Sequence, residues 1–343
     1  MAELGEGCAE GGDGGCLGHA ALLVGDGESA RHPAIVPHRE THAAPPLGTL
    51  WYVSTPRKLS LPDGVHPETL ETERGSFATL TAVPDIGTPL GTVLLVPGWT
   101  GSKEDFTPLV DHLCRYGWRT VAVDQRGQYE TAGPSDKSAY SLAELGADVV
   151  AMSKALGGYS QLVGHSFGGL VAREAVLTDP SVFSTVSLMC SGPAAFTDEA
   201  TLQSLQMLAF GLENLPIEQV YDMKLEHDSK SPGYAAPAAD VAEFLRKRFT
   251  GNVPTSLAEI TRRLTDAEDK TDQLAKAGVR TQVLHGAADD GWPLPVQQAM
   301  AAALGVQAEV VPDAGHSPAI DQPAATARLL VDFFHDYQSF TTA

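Results

Sequence analysis

The amino-acid sequence predicts an α/β protein with a mostly parallel central sheet flanked by helices. From about residue 68, short β-rich runs alternate with helical patterns, which is typical of parallel strands joined by crossover helices. Between about residues 193 and 276 only helical patterns occur, after which the alternation resumes. The chain has 343 residues, 43% of them hydrophobic, which is enough for one large α/β domain with such an insertion.

These patterns divide the chain into four segments. Residues 1–46 are rich in Gly, Ala and Glu and lack hydrophobic periodicity, so we expect a disordered or loosely attached N-terminal arm. Residues 47–192 are expected to form the first part of the core domain, and residues 277–343 its second part. Residues 193–276 contain four short helical patterns, and such helices between two core strands are expected to form a lid.

The first strands of the core are expected to form an antiparallel hairpin. The runs Glu71–Val83 and Gly91–Val96 are separated by Pro84–Gly87, whose residues favour a turn. The next element is expected to be a helix, because a capping pattern at Ser102 precedes apolar residues with helical spacing up to Cys114.

The later elements continue the alternation of strands and helices. The strands are expected at 118–123, 162–163, 183–190, 281–284 and 309–311. The helices between them are expected to begin after Ser141, after Ser166, near Val296 and at Pro323.

The motif with the most chemical content is Gly164-His165-Ser166-Phe167-Gly168-Gly169. It lies between a short apolar strand and an amphipathic helical run, so Ser166 is expected on a tight strand-to-helix turn. A serine hydroxyl is a poor nucleophile unless it is held exposed and a base removes its proton, and such a turn provides the exposure. Glycine at positions 164 and 168 fits a turn where backbone segments pass close together. Ser166 is therefore the candidate nucleophile.

Two later residues can complete a catalytic triad with Ser166. Asp289 follows the strand that ends at Leu284, and His316 follows the next strand along the chain. Because the carboxyl ends of parallel strands meet at one edge of a sheet, both side chains are expected beside the serine. Their order, serine then acid then histidine, is the order expected with this turn.

With these residues the chain resembles the α/β-hydrolase superfamily, in the branch of capped serine hydrolases that contains esterases and lactonases. The resemblance covers residues 68–338 and rests on four motifs in order: Gly164–Gly169, Asp124–Gly127, Gly286–Asp289 and Gly315-His316. It implies an α/β-hydrolase fold with a helical lid inserted between two core strands.

The resemblance also implies a role for each member of the triad. Ser166 is the nucleophile, His316 is the general base and acid, and Asp289 holds the imidazole in the required tautomer. Asp290 is an alternative for the acid, although the three-residue step after Gly286 favours Asp289.

Two backbone N–H groups are expected to stabilise the oxyanion. One belongs to Phe167, which follows the nucleophile at the N-terminus of its helix. The other is assigned to Trp99 in the loop Pro97–Ser102. Many relatives begin this loop with His-Gly, and this chain has Pro97-Gly98 instead. The donor is a main-chain group, so the difference affects the support of the loop more than its chemistry.

The substrate pocket is expected to be apolar and aromatic. Trp292 lies on a loop near the nucleophile, and Met207, Phe210 and Tyr221 belong to the predicted lid. For the three lid residues, packing within the lid core is an equally compatible interpretation. His165, His285 and Arg126 lie near the motifs but are expected to have structural roles.

The composition excludes several classes of partner and cofactor. A net charge of −20 disfavours binding to nucleic acids and anionic membranes, so we expect a small-molecule substrate. The longest early apolar stretch, Ala20–Val24, is too short for a signal sequence, and we expect a cytoplasmic protein. His32, His38 and His42 have no Cys or carboxylate at ligand spacing, so no metal is expected there. Hydrolysis by a serine triad needs no cofactor, so none is expected. The oligomeric state is left open.

The triad predicts hydrolysis of a carboxylic ester, lactone or thioester through an acyl-enzyme. One alternative is cleavage of a carbon–carbon bond next to a ketone by the same triad. Another is a receptor or scaffold that uses the pocket without turnover. Halide and epoxide hydrolysis in this superfamily use an Asp nucleophile, so Ser166 argues against both.

Overall fold

The structure is a computed structural model that describes residues 54–85, 87–230 and 234–341, with side chains up to residue 335. The predicted arm at residues 1–46, including its three histidines, lies outside the described residues. No helix within the described ranges is long and apolar enough to cross a membrane.

Eight strands form one central sheet in the order β1-β2-β4-β3-β5-β6-β7-β8. β1 pairs with β2 and β2 with β4 in antiparallel orientation, whereas every other pair is parallel. The prediction of a mostly parallel sheet is therefore confirmed. The strands are β1 Val65–Thr72, β2 Gly75–Ala82, β3 Thr92–Val96, β4 Arg119–Val123, β5 Ser160–His165, β6 Phe183–Met189, β7 Arg280–Gly286 and β8 Ala308–Val311.

The expected hairpin between Glu71–Val83 and Gly91–Val96 is wrong. The hairpin forms earlier, where β1 turns into β2 between Thr72 and Gly75. Gly75 has a φ of 130°, a conformation that favours glycine. β4 occupies the position beside β2 in the sheet. β3 therefore does not pair with β2 and instead pairs with β4 and β5.

Helices cover both faces of the sheet because successive strand residues point to opposite sides. Leu94 and Val96 pack in the cluster that contains α2 and α3, whereas Val93 and Leu95 pack in the cluster that contains α1 and α11. The helices are α1 Thr107–Arg115, α2 Leu142–Ala155, α3 Phe167–Thr178, α4 Glu199–Asn214, α5 Ile217–Asp228, α6 Ala239–Thr250, α7 Pro254–Asp266, α8 Thr271–Lys276, α9 Leu294–Ala303, α10 Pro318–Asp321 and α11 Pro323–Thr341.

The helices α4–α7, called the inserted helices below, lie in the chain between β6 and β7. They have a small apolar cluster of their own, which includes Leu212, Val220 and Phe249 and is contacted by Trp99 of the core. Backbone bonding also ties them to the core, since the Val253 amide donates to the Gly127 carbonyl at 2.9 Å.

Arg126 has a structural role, as expected. Its Nε donates to Oδ2 of Asp148 at 2.7 Å, and the buried Asp148 also accepts from Nε of Arg74 at 2.6 Å. This shared carboxylate links the loop after β4 to helix α2 and to the β1–β2 turn.

Two helical glycines are expected to respond to alanine in opposite ways. A Cβ atom at Gly146 in α2 would lie 2.8 Å from Cβ of Glu174 and 2.9 Å from the amide nitrogen of Ala175 on α3. We expect Gly146→Ala to lower the free energy of unfolding by about 1–3 kcal/mol through overpacking.

Gly211 in α4 is the matched control, because a Cβ atom there would meet nothing closer than Cγ2 of Val220 at 3.6 Å. Gly211→Ala should raise the free energy of unfolding by about 0.5–1 kcal/mol, since alanine is the better helix former. Urea denaturation midpoints measure both changes. If both variants shifted the urea midpoint in the same direction, the close contact between α2 and α3 at Gly146 would be contradicted.

Candidate active site

Ser166 lies on a strained turn between β5 and α3. Its φ of 55° is in the left-handed region, and its amide donates to the Met189 carbonyl at 2.8 Å. A Cβ atom at Gly164 would overlap the carbonyl of Gly168, and one at Gly168 would overlap the carbonyl of Val96. Glycine is therefore required at both positions.

The structure brings Ser166, His316 and Asp289 together in one hydrogen-bonded row. Nε2 of His316 lies 2.9 Å from Oγ of Ser166, and Nδ1 of His316 lies 2.7 Å from Oδ1 of Asp289. Ser166 and His316 are partly buried, whereas Asp289 is buried. If Nδ1–H donates to Asp289, Nε2 is free to accept the serine proton.

Two further groups hold Asp289. Nε2 of Gln297 donates to its Oδ2 at 2.7 Å, and the Gly291 amide donates to its Oδ1 at 2.9 Å. Burial raises the pKa of Asp289, but His316 and these two donors outweigh burial and lower the pKa to about 2. Gln297 lies eight residues along the chain on α9, and no sequence motif indicated its role.

Asp290, the alternative acid, is exposed and lines a cavity beside His316 that is described below. Both ring nitrogens of His316 are already bonded, to Ser166 and Asp289. Asp290 therefore acts on the ring only as a nearby negative charge.

His316 is held from two sides. Burial lowers the pKa of its imidazole, but the negative charges of Asp289 and Asp290 and the hydrogen bond to Asp289 outweigh burial and raise it. Behind it, Nε2 of His165 donates to the His316 carbonyl at 2.6 Å. Burial lowers the pKa of His165 to about 4, so that ring is neutral and can support the backbone of the triad histidine.

The loop after β3 lies directly against Ser166. A Cβ atom at Gly98 would lie 2.9 Å from Cβ of Ser166. Nε2 of Gln125 donates to the Pro97 carbonyl at 2.9 Å, and Nε2 of Gln128 donates to the Gly98 carbonyl at 2.9 Å. These two buried glutamines hold the carbonyls of the loop in place.

Both expected oxyanion donors belong to segments that border Ser166. Phe167 is buried at the first position of α3, and Trp99 follows Gly98 in the loop. The Trp99 indole donates to Oγ1 of Thr261 at 2.9 Å, which connects the loop to α7. Gln125 belongs to the motif Asp124–Gly127, but neither its bond nor that of Gln128 was predicted.

A cavity of about 1070 Å³ opens beside His316 and extends between the core and the helices α5 and α6. Its wall is formed by apolar and aromatic side chains together with several charged ones. The apolar and aromatic lining includes Tyr221, Tyr234, Leu225, Leu245, Phe249 and Ile320.

Three of the four expected pocket residues do not line this cavity. Met207 is 69% exposed and Phe210 is 67% exposed on α4, because α4 buries its opposite face against α7. Trp292 is buried, stacks on Phe196 with ring centroids 4.4 Å apart and donates to the Ala194 carbonyl at 3.2 Å. Tyr221 does line the cavity.

One group of possible metal ligands occurs among the described residues. Donor atoms of His165, Cys190 and His316 lie within 4.8 Å of one another. Both nitrogens of His316 are bonded within the triad, and burial raises the pKa of Cys190 well above its usual range. A neutral thiol and an engaged imidazole are poor metal ligands, so the arrangement fits the triad better than a metal. His285 is buried, and Nδ1 of its ring donates to the Gly286 carbonyl at 2.8 Å, in line with a structural role.

Comparison with known proteins agrees with this architecture. Residues 93–329 match the sequence model of the alpha/beta hydrolase family. A stretch of 98 residues is 34% identical to the "putative carbamate hydrolase RutD" of Variovorax paradoxus, and it covers 28% of this chain and 36% of that protein.

The solved structures that resemble this chain share its fold at low sequence identity. A carboxylesterase of the thaumarchaeon Nitrososphaera gargenis superimposes with a TM-score of 0.64 at 19% identity, covering 79% of this chain and 99% of that chain. An enol-lactonase of Burkholderia xenovorans superimposes with a TM-score of 0.63 at 17% identity, covering 78% of this chain and 100% of that chain.

Replacing Asp289 by Asn is expected to lower the pKa of His316, because the variant loses both the charge and the hydrogen bond that stabilise the imidazolium. Asp290→Asn is the matched control and should lower the pKa by less, since it removes a nearby charge alone. NMR titration of the imidazole ring measures both values. If Asp290→Asn lowered the pKa of His316 as much as Asp289→Asn or more, Asp289 would not be the carboxylate that mainly raises this pKa.

Proposed function

Because the chain belongs to the alpha/beta hydrolase family, we propose that it is a serine hydrolase that cleaves a carboxylic ester, lactone or thioester through an acyl-enzyme. The observation that carries the proposal is the hydrogen-bonded row from Ser166 through His316 to Asp289. A neutral imidazole between a serine hydroxyl and a buried carboxylate is the arrangement that makes serine nucleophilic at neutral pH.

In the first half of the proposed reaction, Oγ of Ser166 attacks the acyl carbon while Nε2 of His316 takes its proton. The imidazolium that forms is stabilised by Asp289, whose pKa of about 2 keeps it ionised. The oxyanion binds the backbone N–H groups of Phe167 and Trp99, which the α3 N-terminus and the Gln125 and Gln128 side chains hold in place. The intermediate then collapses as His316 returns the proton to the leaving group.

In the second half, a water molecule replaces the leaving group. His316 takes a proton from this water, which attacks the acyl carbon of the acyl-enzyme. The bond between the acyl carbon and Oγ of Ser166 then breaks, His316 returns the proton to Oγ, and the acid is released. Every proton moves between the triad, the substrate and water, so these steps require no metal and no cofactor.

The cavity beside His316 is the proposed binding site for the substrate, and the inserted helices are its proposed lid. Its lining is mainly apolar, and its volume of about 1070 Å³ suits a small, largely apolar molecule. A carbamate, the substrate class in the name of the Variovorax relative, also has a carbonyl carbon that a serine nucleophile can attack, but it lies outside the proposed class of carboxylic esters, lactones and thioesters. We propose a cytoplasmic location because of the composition of the chain. Cys114 and Cys190 are both free thiols, which fits a reducing compartment.

Labelling with a fluorophosphonate probe tests the nucleophile. The native protein should be labelled with one probe per chain, and Ser166→Ala should not be labelled and should lose ester turnover by more than about 10⁴-fold. Ser204→Ala, which changes a serine of α4, is the control and should behave like the native protein. Labelling that survives Ser166→Ala would remove Ser166 from the mechanism.

Turnover of p-nitrophenyl acyl esters of several chain lengths tests both the reaction class and the acid. We expect Asp289→Asn to lower kcat by about 10⁴-fold, because the wrong tautomer then leaves Nε2 protonated, and Asp290→Asn to lower it by less than about threefold. Turnover of a vinylogous diketone without turnover of any ester would instead favour carbon–carbon bond cleavage. A protein that binds such esters without cleaving them would fit a receptor.

A further inference from the structure

Arg248 is a buried arginine of α6 whose side chain leaves the inserted helices and enters the core. Its side chain is 1% exposed. Nη1 donates to Oδ1 of Asp105 at 2.6 Å, and Nη2 donates to the Ser54 carbonyl at 2.8 Å. One guanidinium group therefore joins three segments that are distant in the sequence.

The first of these bonds leads to the loop that borders the nucleophile. The other oxygen of Asp105, Oδ2, accepts the Ser102 amide at 3.3 Å, and it lies so close to Gly101 that a Cβ atom there would overlap it. The Gly101 amide in turn donates to the Gly98 carbonyl at 3.2 Å. Asp105 thus holds the far end of the loop whose near end, Gly98, contacts Ser166.

The second bond leads to the catalytic histidine. Ser54, whose carbonyl binds Arg248, has its hydroxyl 2.7 Å from Oγ of Ser317. Ser317 directly follows His316 and precedes α10. Two hydrogen bonds therefore separate the Arg248 guanidinium from the residue next to the general base.

Burial makes this arrangement costly on its own. Two buried charges lose their hydration, and burial raises the pKa of Asp105 to about 6 although Arg248 opposes the rise. Buried ion pairs add little net stability compared with apolar residues, whereas a planar guanidinium with two fixed acceptors defines geometry well. The contact is thus better suited to setting positions than to stabilising the fold.

We infer that Arg248 is a positioning residue for the proposed reaction. Its side chain couples docking of the inserted helices to the placement of the oxyanion loop and of the segment after His316. The inference rests on the proposed function. The Trp99 N–H stabilises charge that exists only in the transition state, so a displaced loop should lower kcat while leaving substrate binding almost unchanged.

Arg263 offers a control arginine within the inserted helices. It belongs to α7, forms ion pairs with Glu259 at 3.6 Å and Asp266 at 3.0 Å on the same helix, and is not among the residues that line the cavity. A change at Arg263 removes an arginine from the inserted helices without a connection to Asp105 or Ser54.

The experiment compares Arg248→Ala, Arg248→Lys and Arg263→Ala, with active sites counted by fluorophosphonate titration and kcat expressed per titrated site. We expect Arg248→Ala to lower kcat by about 10- to 100-fold with KM within about threefold of the native value. Arg248→Lys should fall in between, because an ammonium can reach one acceptor but cannot reproduce the fork. Arg263→Ala should change kcat by less than about twofold.

Added methylguanidinium provides a readout that a purely structural role would not affect. At millimolar concentration it should restore part of the kcat of Arg248→Ala and leave the kcat of Arg263→Ala unchanged. If Arg248→Ala is insoluble, the same measurement of kcat and KM on Arg248→Lys tests the inference instead. A variant that is less stable yet keeps native kcat per titrated site would overturn the inference while leaving the proposed function intact. A native protein that is neither labelled nor active would overturn both.

Discussion

A side-chain carbon on Gly168 would overlap the carbonyl oxygen of Val96, and the rest of the site depends on this close approach of α3 to the end of β3. Because the backbones meet there, the turn between β5 and α3 is tight and Ser166 adopts a positive φ. Its hydroxyl is thereby presented toward His316, and the helix N-terminus faces the same side. The strained backbone conformation therefore occurs at the residue whose exposure the proposed chemistry requires.

The histidine is fixed by groups that come from separate strand ends. Ser166 follows β5 and Asp289 follows β7, and each binds one ring nitrogen of His316. His165, at the end of β5, binds the backbone of the same residue. Parallel strands bring these segments to one edge of the sheet, so the sheet order β3-β5-β6-β7-β8 determines the geometry of the candidate site.

The inserted helices contribute to the site as well as covering it. Their Thr261 accepts the Trp99 indole, and their Arg248 reaches Asp105 beneath the same loop. The loop next to Ser166 is therefore held by the core glutamines on one side and by inserted helices on the other. The proposed substrate cavity and the proposed oxyanion loop share these supports, which would link substrate selection to the proposed chemistry.

The sequence by itself was enough to predict the parallel sheet, the turn at Ser166 and the strand ends that carry Asp289 and His316. These features follow from local rules: the spacing of apolar residues distinguishes strands from helices, and glycine marks close backbone approach. The tertiary structure alone decided that β4 lies between β2 and β3, that Met207 and Phe210 face outward, and that Gln297 and Arg248 reach the site. Each of these features depends on which strand or helix packs against a given surface. Several such packings are compatible with the local sequence pattern, and contacts between residues distant in the chain determine which one forms.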